Sequence, residues 1–137
     1  MNYGRIALAA LGAFVAYFVI GGLTFAVLPT LKTEFLKYPA VYRSQEGIKS
    51  VMPFGMAAMF VAMVVLAVLY AMLYQAGSGA AHGMRFGVLI GVFAVCSFVV
   101  HNYVNLNIGL KLTLQQAVAY FVEWLVVGIV IGLVYKH

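Results

Sequence analysis

The chain has 137 residues, of which 66% are hydrophobic and only 8% are charged. Soluble domains carry about 25% charged residues, so this composition excludes a soluble globule and predicts a single integral membrane domain covering residues 1–137. The eight lysines and arginines give a net charge of +5. Anionic lipid headgroups accommodate these bases at helix ends, so the lipid bilayer is the expected partner and nucleic acid is not.

Four apolar segments are long enough to cross a bilayer, because about 20 residues rising 1.5 Å each match a hydrocarbon core of roughly 30 Å. The predicted spans are residues 4–28, 51–74, 84–105 and 114–135, and the longest connection is 30–50. Short connections elsewhere make neighbouring spans antiparallel. The predicted fold is therefore an all-α, four-transmembrane-helix bundle of up-down-up-down topology.

The connection after the first span contains a short amphipathic pattern. Pro29 ends the first span, and Leu31, Phe35 and Tyr38 then recur at positions i, i+4 and i+7 with charged residues between them. This spacing predicts a helical turn lying in the membrane interface until Pro39. Two interpretations stay open, a solvated loop with aromatic anchors and a gate over a ligand site.

The second span carries a stripe of methionines. It is predicted to begin near Ser50, a candidate N-cap. Four methionines share one helical face by their spacing: Met52, Met56, Met59 and Met63. Thioethers in a row could ligate Cu(I) or contact haem. The alternative is adaptable helix packing.

Glycines at intervals of four residues mark the third and fourth spans. They are Gly83, Gly87 and Gly91 in the third span, and Gly128 and Gly132 in the fourth. Small residues at this spacing let two helices approach closely in lipid, so these five are predicted helix-packing residues. The two faces could meet within one chain or between copies. The residues 75–83 between the second and third spans predict a flexible turn.

The fourth span opens with a capping-box pattern at residues 113–116 and carries a carboxylate, Glu123, near its middle. An ionisable group at that depth costs on the order of 3 kcal/mol unless it faces protein or water. Glu123 is therefore predicted to point into the bundle toward a polar partner. Tyr120, one turn earlier, could donate to the carboxylate, and so could Tyr17 or Thr24 of the first span.

The third span ends in polar residues that could join this carboxylate. His101 and Asn105 share a helical face, as do Asn102 and Asn105. Since the last two spans are antiparallel, these groups could approach Glu123 and form a ligand-binding or proton-binding cluster. Such a cluster could relay protons, bind a cation or hold a metal. The structural alternative is a protonated carboxyl that only fixes helix packing.

No HExxH, CxxC, P-loop or GxSxG pattern occurs in the chain, so no motif supports a standard hydrolase, nucleoside triphosphatase or thiol redox mechanism. We therefore expect no catalytic activity and no bound cofactor.

The C-terminal half contains a set of short motifs: Gly83-Met84-Arg85-Phe86-Gly87, the polar run from His101 to Asn107, Leu110-Lys111-Leu112-Thr113, Glu123-Trp124, Gly128 and Gly132. With these motifs it resembles small bacterial four-span integral membrane proteins of unknown function. The resemblance implies a four-span fold and a multi-pass protein of the bacterial inner membrane.

Three functions are open on this sequence. The first is a non-enzymatic protein that binds a small ligand or a partner through an inward polar site around Glu123. The second is an oligomeric transporter or channel for a small molecule, proton or ion, since four spans are few for a lone carrier. The third is a metal- or haem-binding membrane protein. A homo-oligomer or a larger membrane complex is compatible with each.

Overall fold

A computed structural model of the chain describes residues 1–74 and 79–135. It contains five helices, α1 (Tyr3–Val27), α2 (Pro29–Leu36), α3 (Gln45–Leu73), α4 (Ala80–Asn105) and α5 (Leu110–Val134). All but α2 are long and apolar enough to cross a membrane. Within the described ranges there is no β-strand. The predicted all-α bundle with four membrane-spanning helices is confirmed.

The third of these helices, α3, begins six residues earlier than predicted. Ser44 is its N-cap, and the Ser44 hydroxyl accepts a hydrogen bond from the Gly47 backbone N–H at 3.1 Å. The predicted cap at Ser50 is wrong, because Ser50 lies inside the helix and donates to the Gly47 carbonyl at 2.8 Å. Ser44 supplies the first acceptor that the orphan N–H groups of a helix start require.

The last helix, α5, also begins before its predicted start. Gly109 is the N-cap residue, and Thr113 donates from its hydroxyl to the Gly109 carbonyl at 3.1 Å. The predicted capping box at residues 113–116 is therefore wrong. The start of α4 moves in the same direction, to Ala80, so Gly83 is a helical residue. Part of the predicted turn before it, residues 75–78, lies outside the described residues.

The bundle is built on α1 and α5, which pack against each other, while α3 packs on α1 and α4 packs on α5. Three alanines of α1 are fully buried at its contacts and keep the helices close: Ala9, Ala10 and Ala13. Large side chains from α3 and α5 complete the main core, including Met63, Tyr70, Ile131 and Tyr135. Asn2 and Tyr135 lie on one side of the bundle, called here the terminal side, where the Asn2 N–H donates to the Tyr135 hydroxyl at 3.3 Å.

The opposite side, called here the loop side, is ordered by α2. Leu31 is buried against Ile108 and Leu112 at the start of α5. Glu34 is buried as well, and its Oε1 accepts from Lys37 Nζ at 2.7 Å and from Lys111 Nζ at 2.9 Å. The amphipathic turn predicted here is thus a helix docked onto α5 by apolar and ionic contacts.

Within α4, residues Val95–Val100 are π-helical. A π-helical turn holds an extra residue compared with an α-helical one, so the residues after it lie on a different face from that expected for a continuous α-helix. Ser97 sits in this segment and donates to the Phe93 carbonyl at 2.6 Å. This local change determines which side chains of α4 face the rest of the bundle.

Candidate functional site

Glu123 lies near the midpoint of α5 and is buried, with 7% of its surface exposed. Its carboxyl faces α1, where the Tyr17 hydroxyl donates a hydrogen bond to it. The carboxyl also packs against the α1 backbone, since a Cβ added to Gly21 would lie 3.3 Å from Glu123 Oε1. Because Gly21 has no side chain, the Glu123 carboxyl can occupy the space beside the α1 backbone.

No basic side chain compensates Glu123 within residues 1–74 and 79–135. The ion pairs in these ranges are Lys37–Glu34 and Lys111–Glu34, both on the loop side. Glu123 is held by a phenol and by close packing, which is the environment of a hydrogen-bonded group and not of an ion pair. An isolated charge in that setting would carry a large desolvation cost.

The structure does not bring the polar end of α4 to Glu123. His101 and Asn105 are exposed, and the Asn105 side chain donates to the His101 carbonyl at 2.9 Å. Asn102 is half-buried. Across the described ranges, no hydrogen bond or ion pair joins any of the three to Glu123. The π-helical segment precedes His101 directly, so the helical face on which the cluster was predicted is displaced before it reaches these residues.

Tyr120 is near Glu123 on α5 but is not its donor. The Tyr120 ring stacks on Phe98 of the π-helical segment, with ring centroids 5.4 Å apart. Thr24, another predicted donor, is used elsewhere, because its hydroxyl donates to the Ile20 carbonyl at 2.8 Å. Of the three donors that the sequence left open, Tyr17 is the one paired with the carboxyl.

The four methionines of α3 have different surroundings. Met63 is fully buried in the core, and Met59 lines a cavity described below. Met52 and Met56 are exposed on the surface of the bundle. The described part of the chain also contains no group of three or more histidine, cysteine, aspartate or glutamate residues that could hold a metal ion. The four thioethers thus do not converge on a common centre.

The glycines of α4 and α5 meet within one chain. The contact contains Gly83, Gly87, Gly91, Gly128 and Gly132. A Cβ added to Gly87 would lie 2.7 Å from the Leu125 carbonyl oxygen, and one on Gly132 would lie 2.6 Å from the Gly83 Cα. Because these faces are occupied inside the bundle, an oligomer would have to use another surface.

A cavity of about 550 Å³ lies between α3 and α4, called here the α3–α4 cavity. On the terminal side the two helices are joined by ring contacts. The centroid of the Tyr70 ring lies 5.4 Å from the ring centroids of both His82 and Phe86. Apart from these ring contacts, α3 packs mainly on α1 and α4 packs mainly on α5. The cavity occupies the space between α3 and α4.

The floor of the cavity is formed by the central helices, and its rim faces the bilayer. Tyr17, Tyr120 and Trp124 are half-buried at the floor. The rim residues are exposed side chains, Val65, Leu69, Phe93 and Phe98. The cavity is thus open sideways to lipid between α3 and α4.

Tyr17 connects the cavity with the buried carboxyl. Its ring lies against Trp124, with centroids 5.4 Å apart, and lines the cavity, while its hydroxyl is bonded to Glu123. The indole N–H of Trp124 is buried and has no acceptor among the described residues. Buried donors are almost always paired, so this group is a candidate for an acceptor that the chain itself does not supply.

Sequence reasoning identified Glu123, Tyr120 and Tyr17 but missed the cavity residues Ser97 and Phe98. These two lie in the π-helical segment, which has no recognised sequence signal, and they are ordinary members of an apolar span. The one sequence feature that points to the cavity is the single tryptophan, because Trp124 directly follows Glu123.

Comparison with protein-family models finds no match, and comparisons with curated proteins and with solved structures find none either. The geometry of the site is therefore the basis for a proposed function.

Proposed function

We propose that this protein binds a small hydrophobic molecule in the α3–α4 cavity, within the membrane. The single observation that carries the proposal is the cavity itself. Its volume of about 550 Å³ lies in the range of roughly 300–1,000 Å³ that small-molecule sites occupy, and its walls are almost wholly apolar with a few polar groups.

The position of the cavity supports entry from the bilayer. Its exposed rim of Val65, Leu69 and Phe93 faces lipid, so a lipophilic molecule already dissolved in the membrane can enter sideways between α3 and α4. No passage through an aqueous phase is needed. The protein acts as a non-enzymatic binding protein, and we place it in a bacterial inner membrane, in line with the family it resembles.

The probe for this proposal is built into the chain, because Trp124 is the only tryptophan and lies at the cavity floor. Bromine quenches indole fluorescence on contact. The protein is reconstituted in nanodiscs of ordinary phosphatidylcholine and titrated with a long-chain alkane brominated at mid-chain. Binding in the cavity gives saturable quenching, whereas random collisions in the bilayer give quenching that rises linearly with the alkane fraction.

Two matched variants locate the site. Ala62 lines the cavity, and Ala57 lies on the exposed surface of the same helix. Ala62→Phe fills the cavity and should abolish the saturable component, while Ala57→Phe should retain it. Ala94→Phe, which fills the cavity from α4, is a second test in case Ala62→Phe does not fold. Linear quenching of equal slope in all variants would contradict the proposal.

Glu123 favours a second candidate function, proton or cation passage through an oligomer. The favouring observation is a buried carboxyl in mid-span whose partner is a phenol and not a base. Intramembrane carboxyls of this kind occur in proton pathways. Liposomes loaded with a pH-sensitive dye test it: Glu123→Gln should abolish a proton flux that the unchanged protein supports. The absence of flux from the unchanged protein would exclude this function.

A further inference from the structure

The side chains that line the α3–α4 cavity also restrict the class of molecule that fits there. None of the lining residues carries a charge. The nearest carboxyl, that of Glu123, lies behind Tyr17 and packs against the α1 backbone at Gly21. An ionised ligand in such a site would lose its hydration without gaining a counter-ion, which is strongly unfavourable in an apolar medium. The cavity therefore favours a neutral molecule.

Two hydroxyl groups that can still bond a ligand are nevertheless present, and they lie toward one end. Ser97 and Tyr120 both line the cavity. The Ser97 hydroxyl donates to the Phe93 carbonyl, so its oxygen still has capacity to accept. The Tyr120 hydroxyl makes no hydrogen bond to any described residue, and it can both donate and accept. A single ligand hydroxyl could donate to Ser97 and accept from Tyr120.

The opposite end of the cavity is lined mainly by aliphatic side chains. Ile90 precedes Ser97 by seven residues on α4, so it lies roughly 10 Å nearer the terminal side. Leu66 and Leu69 face the cavity from the terminal-side half of α3, and Trp124, four residues after Tyr120 on α5, adds to the lining an indole N–H that has no acceptor among the described residues. Beyond the leucines, Tyr70 is in ring contact with Phe86. The cavity thus has its available hydroxyl groups toward the loop side and its aliphatic side chains toward the terminal side.

We infer that the molecule bound in the α3–α4 cavity is a neutral amphiphile, a hydrocarbon carrying one hydroxyl group, with the hydroxyl between Ser97 and Tyr120 and the hydrocarbon along Leu66 and Ile90. This inference rests on the proposed function, since it names the ligand class of the same cavity. A free long-chain alcohol and a neutral lipid with a hydroxyl head share this chemistry.

The test compares four molecules that have the same brominated chain and different ends: a plain alkane, an alcohol, a carboxylate and a trimethylammonium. Each is titrated against Trp124 fluorescence of the full chain in nanodiscs. The alcohol should half-saturate the quenching at a concentration roughly threefold to tenfold lower than the alkane, which is the range expected for a net gain of about one neutral hydrogen bond. The carboxylate and the ammonium should bind no better than the alkane.

Variants at the polar end distinguish the contribution of the ligand hydroxyl to binding from that of burying the ligand's hydrocarbon chain. Ser97→Ala and Tyr120→Phe, each alone, should bring the half-saturation concentration of the alcohol closer to that of the alkane, whereas Ala57→Phe, which lies outside the cavity, should keep the full difference between the two molecules. Equal half-saturation by alkane and alcohol, or tighter binding of either charged molecule, would overturn the inference and leave the proposed function standing. Absence of saturable quenching by all four molecules would overturn the proposed function and this inference together. A glycerol-based neutral lipid with the same chain, compared with the free alcohol, then distinguishes the two sources.

Discussion

At the scale of single residues, the contact of Glu123 with α1 is specific because it depends on two different features of that helix. Tyr17 supplies a hydroxyl donor, and Gly21 supplies space. A hydrogen-bonded carboxyl in an apolar interior is tolerated, whereas an unpaired one is expensive. The position of the carboxyl thus fixes how α5 lies against α1.

Adjacent glycines test this contact. Gly21→Leu should push the Glu123 carboxyl away from its place beside Tyr17, because even the new Cβ would lie 3.3 Å from Oε1. We expect a loss of about 1–3 kcal/mol in the free energy of unfolding, as for other overpacked sites. Gly22→Leu is the matched control, since a Cβ there meets nothing within 4 Å. Chemical unfolding in detergent micelles measures both, and equal losses in the two variants would refute the described contact.

At the scale of helices, α4 and α5 are held together by backbone contact across their glycines. In lipid there is no hydrophobic drive for helices to associate, so close packing of this kind supplies the attraction. The contact tolerates only glycine at its centre. A methyl group added there would meet main-chain atoms, which cannot move away as a flexible side chain could.

A single methyl group is enough to test the α4–α5 contact. Gly87→Ala places a Cβ 2.7 Å from the Leu125 carbonyl oxygen, so the two helices must separate. The expected destabilisation is about 1–3 kcal/mol. Gly55→Ala on α3, where a Cβ meets nothing within 4 Å, should be neutral or stabilising by up to about 1 kcal/mol. Unfolding measured by circular dichroism compares the pair, and a harmless Gly87→Ala would rule out this packing.

Docking of α2 on α5 should depend on pH. The hydrogen bonds from Lys37 and Lys111 hold the pKa of the Glu34 carboxyl below its usual value. A carboxyl whose pKa is lower in the folded state contributes stability that is fully present above its unfolded pKa of about 4.3, and this is lost as the pH falls through the folded pKa. The melting temperature should therefore fall on acidification in the unchanged protein.

Glu34→Gln should remove this part of the pH dependence and should lower the melting temperature at neutral pH. Glu46→Gln is the control, because Glu46 is exposed in the first turn of α3 and forms no ion pair within the described residues. If Glu34→Gln and Glu46→Gln gave the same melting curve at every pH, the ionic docking of α2 would be disproved.

At the scale of the whole molecule, the chain orders its four long helices so that α1 and α5 form a central pair, with α3 and α4 on its flanks. The flanking helices touch at the terminal side through Tyr70, and each otherwise packs mainly on its own central helix. The α3–α4 cavity is a consequence of this arrangement.

The number, type and approximate extent of the long helices could be predicted, because apolar composition over about 20 residues is a direct requirement of the bilayer. Helix starts were misplaced because several polar residues near each start compete as caps, as Ser44 and Ser50 do. The inward position of Glu123 was predictable from its energetic cost. Its partner was not, since Tyr17, Thr24 and Tyr120 were equally able to donate.

The predicted association of His101 with Glu123 does not occur, and the reason lies in α4. In a continuous α-helix His101 would follow on the predicted face, but Val95–Val100 is π-helical and displaces the face that follows. The α3–α4 cavity could not be predicted from the sequence either, because the space between these two helices depends on how each packs against its other neighbour.

Native mass spectrometry of the protein released from nanodiscs tests the central claim most directly, namely that the α3–α4 cavity holds a neutral lipophilic molecule. The unchanged chain and Ala57→Phe should each retain one added neutral mass that does not belong to the nanodisc lipid. Ala62→Phe should lose that mass while remaining folded. An identical set of bound masses in all three proteins, or bound nanodisc lipid alone, would contradict the account.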